Sequence, residues 1–270
     1  TGGYLGKAHD PFISKGDPTR LLTLKDGVPA LRMQKRQGLL DQLRSTQRSL
    51  DKHEKTTGFS LVQGHARNLL NSQRFISAFN LDDEPRETQQ RYGDSFLGRN
   101  MLTARRLVEA GVPLIQVSDI PEQGEQHWDL HYANIFDRLK GQLLPNLDQS
   151  LSALLLDLEY RGLLEETLVV VGGEFGRTPW IDHLSSPPQG GRQHWPYCYS
   201  MLLAGGGVRR GEVFGRSDET AAYPVSHRVG PWDLAATIFH LAGIDPQTRL
   251  QDRQGKMRLI TRGEVIDGIL

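Results

Sequence analysis

The run Thr167–Val171 (Thr-Leu-Val-Val-Val), closed by Gly172-Gly173, limits the possible folds of this chain more than any other feature. An uninterrupted apolar and β-branched stretch of this length, bounded by glycines, is typical of a strand buried on both faces. Such strands occur mainly in parallel sheets that carry helices on either side. The run therefore predicts an α/β fold with polar groups gathered where the strand ends.

Two further apolar runs and two helical patterns extend this prediction. Strands are expected at Val112–Val117 and Tyr199–Ala204, and helices at about Ala133–Arg161 and Pro231–Leu241. Strands that alternate with helices favour a largely parallel sheet flanked by helices. Residues 111–270 are therefore expected to form the α/β part of the chain, including its metal site.

The first 110 residues have a different character. Pairs of glycine, proline and aspartate dominate residues 1–28, which predicts an irregular surface arm. Apolar residues at helical spacing then predict helices at Pro29–Glu54, about Ser60–Asn80 and Arg86–Ala110. Residues 1–110 are thus expected to be an N-terminal arm and helical region, and both parts to belong to one incomplete domain.

Composition excludes several functional classes. The chain has 32 Lys+Arg and 32 Asp+Glu, so its formal charge is zero, which argues against a nucleic-acid protein held by bulk charge. No apolar run reaches the roughly 18 residues that a membrane helix needs. Cys198 is the only cysteine, so intrachain disulfides and cysteine-rich zinc sites are excluded as well.

Histidine and carboxylate residues cluster near the ends of the predicted strands. Asp129 and His131 are two residues apart, so on an extended backbone they face the same side and could share one cation. Glu174 directly follows the glycine-bounded strand, and His194 precedes the third strand. Mixed nitrogen and oxygen ligands of this kind suit zinc, manganese or another divalent ion. Arg177 adds a planar donor fork that fits phosphate or sulfate.

Other interpretations of the same residues stay open. Asp129 could cap the helix that follows it, and Glu174 and Arg177 could form an ordinary salt bridge. Any one of the 9 histidines is more often a surface residue than a ligand. Serine-histidine-aspartate catalysis has less support, because the chain has no Gly-x-Ser-x-Gly elbow. Cys198 precedes an apolar strand and is interpreted as a core residue rather than a nucleophile.

Seven short blocks, taken in their order along the chain, resemble a known family. They are Gly3–Gly6, Asp10–Phe12, Trp128–His131, Gly173–Pro179, Gly191–Trp195, Leu203–Val208 and Asp233–Ile238. The family is the bacterial one catalogued as domain of unknown function 1501, which is related to sulfatases and belongs to the alkaline phosphatase superfamily. The blocks together span most of the chain, and their order makes the resemblance specific.

This resemblance implies an alkaline-phosphatase-like α/β fold with a metal site at the carboxyl ends of the strands. The resemblance implies four metal ligands at the positions that match those of the superfamily: Asp129, His131, Glu174 and His194. Two positions depart from the pattern: Leu130 stands where threonine is common, and Gln193 stands where aspartate is common. The second departure is expected to weaken the hydrogen-bonding support of His194.

The superfamily also draws its first metal-binding aspartate and its nucleophile from a first strand, for which this sequence offers no candidate. Three good strands are few, since a doubly wound sheet uses about five or more. The chain is therefore expected to resemble the C-terminal portion of a member, to lack one or more N-terminal strands, and to hold an incomplete active site.

The leading functional hypothesis is a metal-dependent hydrolase of sulfate or phosphate esters. Divalent zinc, manganese or calcium would polarise the ester, and Arg177 would be the catalytic residue that neutralises charge in the transition state. A small molecule or a glycan ester is the expected substrate. Two alternatives stay open: a non-catalytic, export-associated binding protein on the same scaffold, and a phosphosugar mutase-like enzyme. The resemblance further implies a periplasmic or secreted location.

Overall fold

The computed structural model describes residues 2–6, 9–14, 18, 72–120, 127–131, 135–182 and 190–270. The chain divides into two compact units, Thr1–Asn80 with Gln251–Lys256 and Leu81–Leu250 with Met257–Leu270. The helix predicted at Pro29–Glu54 lies outside the described residues, as do the greater parts of the predicted 1–28 arm and of the Ser60–Asn80 helix.

In the first unit, a short helix α1 (Gln73–Ser77) lies beside a small aromatic cluster. Ser72 caps the helix, because its hydroxyl oxygen accepts a hydrogen bond from the Phe75 backbone amide at 3.2 Å. The Phe75 ring is buried and meets Phe12 and Phe79 edge to face, with ring centroids 5.9 and 5.2 Å away. These contacts pack α1 against Phe12 and Phe79.

Helices supply most of the regular structure described in the second unit. They are α2 (Arg86–Tyr92), α3 (Phe96–Glu109), α4 (Ile135–Arg138), α5 (Leu144–Tyr160) and α6 (Pro231–Leu241). A π-helical turn at Leu139–Leu143 joins α4 to α5. Short 3-10 turns lie at Gly3–Leu5, Leu81–Asp83, Leu164–Glu166 and Asp267–Ile269. None of the helices found in the described ranges combines the length and the apolar character that a bilayer crossing needs.

The helices predicted from the sequence in this unit are confirmed. The one expected at Arg86–Ala110 is divided in two at Gly93, whose φ of +81° suits glycine and ends α2. The long helix expected up to Arg161 ends there, and Gly162 follows with a φ of +69°. Helix α6 begins at proline, as expected, and the Asp233 carboxylate accepts a hydrogen bond from the Gly230 amide at 2.7 Å.

Helices α2, α3 and α5 pack around one apolar core. Its buried members are Tyr92, Leu97, Met101, Leu102, Ala153, Leu154, Leu158 and Leu164. Apolar residues that recur every three or four positions give α3 and α5 a continuous inward face. The predicted division of the chain at residue 110 stays a prediction, but α3 on one side of it packs against α5 on the other.

A buried ion cluster lies beside this core. Arg105 of α3 is 1% exposed and pairs with Glu84 at 2.5 Å, Glu109 at 2.5 Å and Asp157 at 2.9 Å. Arg106 also pairs with Glu84. Burial alone raises the pKa of Glu84, but the hydrogen bonds and charges of the two arginines outweigh burial and hold that pKa below its usual value. The ion pairs thus join α3 to α5 and to the segment before α2.

Strands form only short pairs among the described residues. The pairs are β1 (Val169–Val171) with β4 (Leu202–Ala204), β2 (Gly176–Arg177) with β3 (His194–Trp195), β5 (Arg216–Ser217) with β6 (Pro224–Ser226), and β7 (Arg249–Gln251) with β8 (Met257–Leu259). The pairing is antiparallel. The prediction of a largely parallel, alkaline-phosphatase-like sheet is therefore wrong. The strand count that argued for missing N-terminal strands assumed such a sheet and no longer supports them, whereas the resemblance to the C-terminal portion of a family member stays a prediction.

The glycines after β4 explain why it pairs with β1 in the antiparallel sense. The Gly206 amide donates to the Leu164 carbonyl at 2.9 Å, and a Cβ on Gly205 would lie 2.3 Å from the same oxygen. The end of β4 is therefore held against the segment that leads into β1. In addition, β1 is only half-buried, a condition that a continuous apolar run does not distinguish from burial on both faces.

The strand predicted at Val112–Val117 is also wrong, since this segment belongs to none of the strands in the described part of the chain. Val117 packs against the helical core, whereas Leu114 is 86% exposed. Its apolar character thus reflects, at Val117, packing beside the helices rather than pairing in a sheet.

Candidate metal centre

The ribbon of β2 and β3 positions one half of the candidate site. Arg177 pairs across the ribbon with His194, and Gly176 pairs with Trp195. Directly opposite residues project from the same face, so the guanidinium and the imidazole lie side by side. Gly176 permits this close pairing, because a Cβ there would lie 2.0 Å from the Cys198 carbonyl oxygen.

The segment 127–131 supplies the other half. Leu130 is 5% exposed and packs with Ile135 and Leu143 in a small apolar cluster. The Leu130 side chain is thus buried in that cluster, whereas the residues on either side of it, Asp129 and His131, bring their ligand atoms close to His194. The segment is also held at its start, where the Trp128 indole donates to the Asp119 carboxylate at 2.7 Å. Asp119 thus acts as an anchor for this segment.

Three of the predicted ligands come together in the structure. The Asp129 Oδ1 atom lies 2.7 Å from His131 Nε2 and 3.8 Å from His194 Nε2, and one ligand atom of each residue lies within 4.8 Å of the other two. The two imidazole rings are 4.7 Å apart between centroids. One carboxylate oxygen and two imidazole nitrogens at this separation form a possible divalent-metal site.

Arg177 contacts two of these three residues directly. Its Nη2 donates to Asp129 Oδ1 at 2.8 Å, and its Nη1 lies 3.2 Å from His131 Nε2. The hydrogen bond from Arg177 lowers the pKa of Asp129 most, burial opposes this effect, and the charges of His131 and His194 add to it. The pKa of Asp129 therefore lies below its ordinary value, and the carboxylate is ionised at neutral pH.

Two polar residues behind His131 complete the hydrogen-bonding pattern. His131 Nδ1 lies 3.0 Å from Gln193 Oε1, and Gln193 Nε2 donates to Asp182 Oδ2 at 3.3 Å. The sequence predicts that Gln193 affects His194, but the structure places its amide on His131. Nothing in the sequence pairs Asp182 with Gln193, since they meet only through the fold of the ribbon.

Glu174, the fourth predicted ligand, is exposed and lies outside the three-residue group. Its role as a ligand stays a prediction. Among the described residues, Arg177 pairs with Asp129 rather than with Glu174, which disfavours the ordinary salt bridge that the sequence allowed.

Cys198 is half-buried, and burial together with the charge of Asp218 raises the pKa of its thiol. A raised pKa reduces the thiolate fraction, in keeping with a residue that is not a nucleophile.

Comparisons with curated proteins and with solved structures gave no significant match. A comparison with protein-family models gave a match to the family described as "Protein of unknown function (DUF1501)", over residues 1–270. The blocks recognised in the sequence are therefore confirmed at the level of the family, while the relation to sulfatases stays a prediction. The chain belongs to the DUF1501 family of proteins of unknown function.

Proposed function

We propose that this chain binds a divalent metal ion through Asp129, His131 and His194 and acts with it on a sulfate or phosphate ester. The observation that carries the proposal is the convergence of two imidazole nitrogens and one carboxylate oxygen within 4.8 Å of one another. Two histidines and one carboxylate are the protein ligands of several catalytic zinc sites. Nitrogen donors favour zinc over calcium, which takes oxygen ligands.

The charges around this group favour an anionic substrate. Arg177 already balances the negative charge of Asp129, so a divalent ion would give the group formed by these two side chains and the ion a net positive charge. The guanidinium of Arg177 points two of its nitrogens at this group, and a planar fork of that kind fits two oxygens of a sulfate or phosphate. The Arg177 side chain is 24% exposed, so a substrate in solution has access to it.

A bound ion would supply Lewis acidity toward an ester oxygen. Asp129, His131 and His194 would hold the ion, and the Phe175 ring, 4.3 Å from the His194 ring, limits how that imidazole tilts. Arg177 binds the free oxygens of the ester and neutralises the charge that develops on them. The division of roles is thus between residues that bind the metal and one residue that binds the anion.

Three finer parts of the proposal depend on the sequence and its resemblance to the family rather than on the geometry of the site. They are the sulfatase-like relationship, Glu174 as a fourth ligand, and a periplasmic or secreted location. The donor group of Asp129, His131 and His194 does not depend on any of them.

Hydrolysis of p-nitrophenyl sulfate and p-nitrophenyl phosphate by the zinc- or manganese-loaded chain tests the proposal. We expect turnover that a chelator abolishes and added metal restores; such turnover would also overturn the expectation, drawn from the resemblance, that the active site of this chain is incomplete. Arg177→Gln should lower the rate by about 10²–10³-fold, the usual cost of removing a donor to a developing oxyanion. His240→Ala, which changes an exposed histidine on α6, is the matched control and should retain the rate. Binding of metal and sulfate without turnover would contradict hydrolysis and favour the non-catalytic alternative.

A further inference from the structure

We propose that Gln193 and Asp182 are positioning residues, which hold the His131 imidazole with its proton on Nδ1 and so present Nε2 to a metal ion. The inference rests on the metal centre proposed above. It concerns two side chains behind that centre, neither of which is among the three proposed ligands.

The direction of the Gln193 amide follows from its two partners. Gln193 Nε2 lies 3.3 Å from Asp182 Oδ2, and Gln193 Oε1 lies 3.0 Å from His131 Nδ1. An ionised carboxylate only accepts hydrogen bonds, so the amide must turn its NH₂ group toward Asp182. The reverse orientation would place two acceptor oxygens against each other. Asp182 thereby directs the carbonyl oxygen of Gln193 at His131.

The tautomer of His131 follows in turn. A carbonyl oxygen at Nδ1 requires that this nitrogen donate, so the single proton of the neutral ring lies on Nδ1. The lone pair then lies on Nε2, the atom that is 2.7 Å from Asp129 Oδ1 and 3.2 Å from Arg177 Nη1. A lone pair beside a carboxylate oxygen is repulsive unless a cation accompanies them; in this structure the Arg177 guanidinium is that cation, and a bound metal ion would take its place. The hydrogen bonds from Gln193 to Asp182 and from His131 to Gln193, called the relay here, thus favour the ring form that binds a positive ion at Nε2.

The backbone holds both members of this relay in place. Thr178 is 4% exposed; its amide donates to the Gln193 carbonyl at 2.9 Å, and its hydroxyl accepts from the Gln193 amide at 3.1 Å. Farther along the ribbon, the Asp182 amide donates to the Gly191 carbonyl at 2.8 Å, and the Gly191 amide donates back at 3.3 Å. Both side chains therefore start from fixed backbone positions.

A hydrogen-bond partner on the second ring nitrogen of a metal-binding histidine changes metal affinity by about 10–100-fold. We therefore expect Gln193→Leu, which removes the acceptor at similar size, to weaken zinc binding to the full chain by that factor.

Long-range ¹⁵N–¹H spectra of the histidine rings, recorded two pH units above the ordinary histidine pKa of about 6.5, report the tautomer directly. The signals of His131 are identified as those that are absent from the spectrum of His131→Gln. Gln193→Leu should lose the Nδ1–H form.

A variant that exchanges the amide and the carboxylate of the relay distinguishes a positioning role of Gln193 from a packing role. In the double variant Gln193→Glu with Asp182→Asn, the new amide donates to the new carboxylate, whose second oxygen still accepts from His131. This variant should regain the Nδ1–H form and most of the zinc affinity. Gln247→Leu, at an exposed glutamine far along the chain, is the control for the substitution itself.

An unchanged tautomer in Gln193→Leu overturns the proposal, even where the midpoint of thermal unfolding falls, because the residue would then be merely structural. A zinc affinity within twofold of the wild type overturns it as well. Where the wild-type chain binds no zinc, the metal centre itself fails, and the tautomer comparison alone decides whether Gln193 positions His131.

Discussion

At the scale of single residues, one oxygen of Asp129 contacts both Arg177 and His131. Its Oδ1 atom receives a hydrogen bond from Arg177 at 2.8 Å and lies 2.7 Å from His131 Nε2. A metal ion bound by Asp129 and His131 needs the same two atoms that Arg177 contacts. The guanidinium and the ion therefore compete, and binding of the ion frees Arg177 for the oxygens of an anion.

This competition predicts that Arg177→Gln increases zinc affinity. An ion pair with an exposed partner contributes up to about 1 kcal/mol, which corresponds to a gain of at most about fivefold. Binding of sulfate to the zinc-loaded chain should weaken in the same variant. Titration calorimetry measures both affinities, and Arg210→Gln, which removes an exposed arginine paired with Glu159, is the control. A loss of zinc affinity in Arg177→Gln would show that Arg177 supports the metal instead.

Sequence reasoning found the side chains of this group but not how they are held. The i, i+2 spacing of Asp129 and His131 was sufficient, because the apolar residue between them marks which side faces inward. His194 was recognisable from its polar neighbours near a strand. Gln193 and Asp182 meet through a ribbon whose pairing no local pattern encodes, so their contact with His131 was not predictable.

Among the secondary-structure elements, the β2–β3 ribbon has the strictest steric requirement. A Cβ at Gly176 would lie 2.0 Å from the Cys198 carbonyl oxygen and 2.9 Å from that of Trp195, both of them backbone atoms. We predict that Gly176→Ala forces the strands apart, lowers the free energy of unfolding by about 1–3 kcal/mol, the usual cost of overpacking, and weakens zinc binding.

Gly173→Ala is the matched control for that change, because the nearest atom to its Cβ would be the Phe175 carbonyl oxygen at 3.8 Å. Chemical denaturation and zinc titration of the two variants side by side provide the measurement. Equal stability and equal zinc affinity in both variants would contradict the close strand pairing at Gly176.

The ion cluster between α3 and α5 predicts a dependence of stability on pH. The pKa of Glu84 is lower in the folded chain than its ordinary value of 4.5, so the folded state holds the charged form more firmly than the unfolded state does. The stabilisation is therefore present above about pH 4.5 and is lost as the pH falls through the lower, folded value.

Glu84→Gln tests this dependence. At neutral pH the variant should be less stable by about 2 kcal/mol, the usual contribution of a hydrogen bond to a charged group. The difference from the wild type should shrink as the pH is lowered below 4.5, because protonation neutralises the wild-type side chain too. A difference that stays constant from pH 7 to pH 3 would contradict a charged Glu84 in the cluster.

For the chain as a whole, helices were predictable and the sheet was not. Apolar periodicity and local end signals, such as Pro231 and Gly162, place a helix without reference to distant residues. The direction in which β1 pairs depends on where Gly205 and Gly206 dock, more than 30 residues later in the sequence. The parallel sheet is expected from the apolar runs, from their alternation with helices and from the family resemblance, but antiparallel pairing of half-buried strands produces the same runs.

The family assignment and the candidate site also differ in what supports them. Membership of the DUF1501 family follows from a match over residues 1–270. The metal centre follows from three side chains, Asp129, His131 and His194, brought together by two separate segments. A test of the metal centre is therefore independent of the family and must be made on this chain.

The zinc content of the purified chain, measured after dialysis against a trace of zinc, gives that test most directly. We predict one ion per chain in the wild type and in His240→Ala, and almost none in a His131→Ala, His194→Ala double variant whose helical content is unchanged. Equal zinc content in the wild type and the double variant, or no zinc in either, would contradict a metal centre at these residues.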